Sequence, residues 1–143
     1  MTYVTTDYKL ASGYNNAGGL VSFTSITDGT NTLVEPHGLP FANRGRRETR
    51  TNGLVTRTGF PRVTLRSDLL YTQWLYIINN YEGFVTVRLP YNSTTWANFN
   101  AVLTMPDPEE MDYVVFAGGF DQHNFYGPGF RDVAWAFTRL VSL

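Results

Sequence analysis

NRGRRETRTNGLVTRTG (Asn43–Gly59) leads into FPRVTL (Phe60–Leu65), then DLLYTQWLYIINNY (Asp68–Tyr81) and FVTVRL (Phe84–Leu89), and this run decides the fold. The first piece is polar and Arg-rich with few apolar anchors. The next three read as strand, amphipathic helix and strand. Seven of the eleven basic residues lie between Arg44 and Arg66, and all seven are Arg. A long polar arm adds little to a compact core, whereas a subunit that docks on neighbours gains from one. Without its own structure, a loop of this length is uncommon in a small domain unless it is functional or disordered. The expected form of residues 36–59 is a long hairpin turning at Asn52-Gly53, a pair suited to tight hairpin turns.

Within the run, Leu70, Trp74, Ile77 and Tyr81 recur at helical spacing and give one apolar stripe, widened by Tyr71, Leu75 and Ile78. Ser67 is expected to cap the helix, with Asp68 in its first turn complementing the dipole, and Gly83 to close it. The predicted helix therefore spans about 68–82. Upstream, TYVTTDYKLA and LVSFTSI read as strands, Asp28-Gly29 as a turn, and NTLVEP as a short strand stopped by Pro36. Downstream, YNSTTW reads as a turn or bulge, ANFNAVLTM and YVVFAGGF as strands, and PDPEEMD and DQHNFYGPG as loops. Val133, Trp135, Phe137 and Leu140 suggest a long terminal strand, with a helix as the alternative. The expectation is one mainly β domain over residues 1–143, all-β or α+β. Its architecture would be an antiparallel sandwich or barrel with one flanking helix and an extended arm.

Composition sets limits on the chemistry. The 143 residues are enough for one core, and the net charge of −1 argues against a molecule-wide nucleic-acid-binding field. Charged residues make up 16% against about 25% in an ordinary domain, and aromatics 15%. Two readings fit: surface hidden against partners, or a β-rich fold that favours aromatics anyway. With no Cys there is neither a disulfide framework nor a thiolate site. The N-terminus lacks the pattern of a signal peptide, no apolar run is long enough to span a membrane, and no membrane partner is expected.

No catalytic, cofactor or metal site is expected. His37 and His123 are the only histidines, and no GxSxG elbow accompanies them. Asp107, Glu109, Glu110 and Asp112 form an acidic cluster without EF-hand spacing, so a solvated loop is the expected state. Trp96 is the candidate exposed ring, a platform for a sugar or a protein partner. Arg44, Arg46, Arg47, Arg50 and Arg57 suit either phosphates or an acidic protein surface. Glu48 interrupts the run and no aromatics interleave, so an inter-subunit contact between these arginines and the 107–112 carboxylates of another copy is an equally physical expectation.

GFPRVTLRSDLLYTQWLYIINNYEGFVTVRLPYN (Gly59–Asn92), WANFNAVLTMPDP (Trp96–Pro108) and FRDVAWAFTRL (Phe130–Leu140) together resemble tail proteins of long-tailed bacteriophages, with a short "QW" helix before a "VTV" strand. The resemblance covers about residues 59–143 and includes no catalytic signature. It implies a virion structural protein, either a minor tail or a tail-tube-like domain, that forms rings with copies of itself and other virion proteins. A lumen in such an assembly would pass DNA without sequence-specific binding. It also implies a hairpin bridging neighbouring rings, no enzymatic activity and no cofactor. Two other readings stay open: a carbohydrate- or protein-binding β-sandwich module, and a capsid decoration or tail-terminator protein.

Overall fold

Alternation of β-branched and aromatic residues with polar ones drives most of the chain into strands. The computed structural model describes residues 7–37, 46–49, 51, 53, 55–58, 62–90, 95–118 and 125–143, with backbone only at 46–49 and 55–58. In chain order the strands are β1 (Lys9–Ser12), β2 (Val21–Ser22), β3 (Arg46–Thr49), β4 (Val55–Thr58) and β5 (Val63–Leu70). The helix α1 (Tyr71–Asn80) precedes β6 (Gly83–Pro90), β7 (Trp96–Thr104), β8 (Asp112–Ala117) and β9 (Tyr126–Ser142). Seven strands form one antiparallel sheet in the order β2-β1-β6-β7-β9-β5, with β8 added to β9, while β3 and β4 form a separate two-stranded sheet. The fold is mainly β and sandwich-like, with a helix flanking the sheet, as the sequence suggested.

The 17-residue β9 organises the sheet. Along one side it pairs with β5 from Gly129 to Phe137. Along the other it pairs first with β8, from Tyr126 to Arg131, and then with β7, from Ala136 to Ser142. Two register shifts re-aim it, and the non-glycine residues Asp132 and Arg139 adopt positive φ, each 55°, at those points. The second shift keeps Leu140 facing inward beside Val133, Trp135 and Phe137, all of them buried. The terminal element is thus a strand, and the helical alternative does not occur.

Leu10, Val85, Val87, Leu89, Leu65, Trp135 and Phe137 form the sheet's side of the core, and Trp74 and Ile77 of α1 pack against it. Each such large side chain contributes roughly 1.5–3 kcal/mol through burial. Three helix expectations need correction. The strand β5 continues through Ser67 and Asp68, and the helix begins only at Tyr71. Ser67 is no cap: its hydroxyl is buried and accepts a 2.9 Å hydrogen bond from the Trp135 indole N–H. The cap is instead supplied by Gln73, whose side-chain oxygen accepts from the Leu70 N–H at 2.9 Å while its amide donates to the Thr32 carbonyl at 3.0 Å. Leu75, placed on the apolar stripe, is exposed.

The upstream region is less regular than the alternation implied. LVSFTSI gives only two strand residues before a 3-10 turn, Phe23–Ser25, that buries Phe23. NTLVEP forms a single bridge, Thr27 to Thr32, with no strand. The Asp28-Gly29 turn holds: the Asp28 carboxylate accepts from the backbone N–H of Thr30 and Asn31 and, at 2.6 Å, from the Thr72 hydroxyl on the helix. Residues 1–6 and the YNST turn (91–94) lie outside the described residues, as do Gly119 and the loop 121–124 with His123.

Candidate assembly interface

DYVVFA makes β8 a strand through its β-branched and aromatic residues. Gly118 ends it at φ +72°, with the Tyr126 ring lying so close over its Cα that a Cβ would clash. Cross-strand partners Tyr113–Phe130, Val115–Pro128 and Ala117–Tyr126 share one face of the sheet. The other face sends Phe116 into a small cluster with Leu70 and Phe125, flanked by Val34 and Val114. Gly129 permits this approach, since a Cβ there would stand 2.5 Å from the Leu69 carbonyl oxygen and 2.6 Å from the Phe116 ring.

The first face is the main core face carried past the end of its cover. Phe130 is buried beneath it and packs within 6.3 Å of the Tyr71, Trp74 and Tyr113 rings. Beyond Phe130 no described residue covers it: Tyr113 is 62%, Val115 66% and Tyr126 71% exposed, with Tyr71 on the helix exposed beside them. A contiguous patch of this kind on a small domain marks an interaction surface. Among the described residues, β8 pairs with β9 alone, so its outer edge is open. The strand β8 holds no Pro or Lys and its register with β9 is regular, which leaves Asp112 as its one charged guard against strand addition.

Acid surrounds the start of this edge. Trp74 donates its indole N–H to the Pro106 carbonyl at 3.1 Å, and the Glu82 carboxylate accepts from the Met105 N–H at 2.9 Å, which fixes the exit of β7 to the helix. The chain then turns through the 3-10 segment Pro108–Glu110 into β8. Asp107, Glu109, Glu110 and Asp112 are all exposed on that turn, with Arg131 the cross-strand neighbour of Asp112. Among the described residues no three acidic or His side chains converge as a metal site would require.

The arm takes the hairpin form that the sequence suggested. The strands β3 and β4 pair Arg46 with Thr58, Arg47 with Arg57, Glu48 with Thr56 and Thr49 with Val55, and Gly53 at φ +87° lies in the connection. Arg46, Arg47 and Arg57 therefore share the open end of the hairpin, and Arg47 and Arg57 are direct cross-strand partners. Like charges placed opposite each other destabilise a strand pair. Arg44, Arg50 and Asn52 lie outside the described residues.

Trp96 is not the exposed ring expected of a sugar platform. It opens β7, packs against the core, and meets Tyr8 edge-on at 4.8 Å. Its indole nitrogen is buried without a hydrogen-bond partner among the described residues. His37 is exposed, bridges Arg66 through the backbone in both directions, and has Nε2 3.6 Å from Asp132. Tyr113 and Val115 were not legible because YVVF is apolar at every position, a pattern shared by strands covered on both faces, and Tyr126 because DQHNFYGPG reads as a loop whereas Tyr126–Gly129 begin β9. No helix among the described residues is long and apolar enough to cross a membrane. A scan against protein-family models, a search of curated proteins and a search of solved structures each returned no match.

Proposed function

We propose that this chain is a non-catalytic structural subunit of a bacteriophage particle, placed in the tail, that assembles with copies of itself and with other virion proteins. The observation that best supports self-assembly is the pairing of two incomplete surfaces on one chain. The open, apolar β8 edge has an acidic head, and among the described residues the Arg-rich hairpin joins no strand of the main sheet. A two-stranded hairpin alone in water is marginal, and one with Arg47 opposite Arg57 has further reason to seek carboxylates. The assignment to a phage tail rests on the resemblance of residues 59–143; self-assembly rests on the surfaces. Virion localisation and passage of DNA through an assembled lumen follow from the tail assignment. Negative-stain microscopy and mass photometry of the purified chain test the reading. Rings, stacked tubes or a defined multimer are the expected outcome, and a monomer at the highest attainable concentration overturns it.

A further inference from the structure

Building on that self-assembly reading, we infer that the open edge of β8 receives the strand β4 of a second copy, antiparallel, with Arg57 of the incoming copy beside Asp112. Strand direction selects this arrangement. The carboxylates stand at the N-terminal end of β8: Asp107, Glu109 and Glu110 in the turn, then Asp112 as the first strand residue. An antiparallel β4 brings its C-terminal end, Arg57 and Thr58, alongside that acidic head. The hairpin register places Arg46 and Arg47 at the same end, so three arginines and four carboxylates come to one end of the joined sheet. Antiparallel addition through β3 instead brings Thr49 and Glu48 to the acidic head and leaves the arginines at the far end.

With Arg57 opposite Asp112, Thr56 faces Tyr113 and Val55 faces Val114, pairs that suit a sheet. The backbone groups of β8 that have no strand partner among the described residues gain one, the usual source of affinity in strand addition. The cross-strand partners Arg47 and Arg57 come to the end of β8 that carries the carboxylates. Donor and acceptor are different surfaces of one chain, so the contact is head-to-tail and propagates into a ring or a filament.

Two experiments test this, and the absence of Cys makes the first clean. Thr56→Cys and Tyr113→Cys are made in separate chains, mixed and oxidised. A disulfide-linked heterodimer is expected from the mixture, with neither chain forming one alone to a comparable extent. In a chain carrying both substitutions, a ladder of multimers is expected; a concentration-independent intrachain bond means that the hairpin closes its own edge and overturns the second-copy assignment. The second experiment uses Arg57→Asp and Asp112→Arg, with folding checked by circular dichroism. Each alone should raise the half-assembly concentration by about tenfold or more, and an equimolar mixture should restore it, since each interface then pairs opposite charges. If the wild type assembles, absence of the heterodimer, or assembly indifferent to both reversals, overturns this edge pairing while self-assembly stands. If the wild type is a monomer, both fall.

Discussion

Trp135 and Ser67 show how one hydrogen bond fixes where an element ends. The indole N–H points into the core and needs an acceptor, which the Ser67 hydroxyl provides at 2.9 Å from a fully buried position. That demand keeps Ser67 in the sheet, although its residue type suits a helix cap. Ser67→Ala should cost about 1–3 kcal/mol in urea unfolding, because it leaves a buried donor unpaired. Trp135→Phe in the same background should add less than it costs alone, which a double-mutant cycle reads directly. Arg139 offers the opposite case: at φ 55° an arginine is strained where glycine is not. Arg139→Gly should be neutral or stabilising, whereas Arg139→Val should destabilise by about 1–2 kcal/mol, both measured by the same melt.

At the scale of elements, α1 is held by polar contacts that a binary pattern hides. Gln73 is 1% exposed and caps the helix while reaching the Thr32 carbonyl. Gln73→Leu should lower stability by roughly 1–3 kcal/mol despite its greater hydrophobicity, since the Leu70 N–H loses its acceptor. Asp28 ties the 27–32 turn to the helix. Partial burial pushes its carboxyl up, but hydrogen bonds from the Asn31 backbone, the Thr72 hydroxyl and the Thr30 backbone outweigh that and hold it below the ordinary carboxylate range. A depressed carboxyl stabilises the fold above its unfolded value near 3.8 and loses that contribution as pH falls through the lower folded value. Thermal melts of Asp28→Asn should accordingly fall less steeply than wild type between about pH 5 and 2. The apolar rhythm made β5, β6, β7, β9 and the Trp74–Ile77 stripe legible. The start of the helix was not, because Ser67 and Asp68 satisfy both a capping pattern and a strand, and only the position of Trp135 chooses between them. The surplus exposure of Tyr113 and Tyr126 was equally hidden, since sequence gives the apolar face but not how far the helix reaches across it.

For the whole molecule, the uncovered end of the core face is the feature with most consequence for behaviour in solution. Replacing Tyr113, Val115 and Tyr126 together by Ser should leave the melting temperature within a few degrees, as none is buried, while abolishing multimers in mass photometry and reducing binding of a hydrophobic dye. The order of the strands along the chain carries a different implication. Among the described strands β5 and β8 pair with β9 alone, while β7 lies between β6 and β9, so residues 126–142 join β5 and β8 to the β2-β1-β6-β7 part of the sheet. On the ribosome, β5 and β8 must therefore wait with exposed greasy segments until that stretch emerges. Nascent chains stalled upstream of Tyr126 should be prime clients for chaperones, and emergence of β9 should trigger a late, cooperative closing of the sheet.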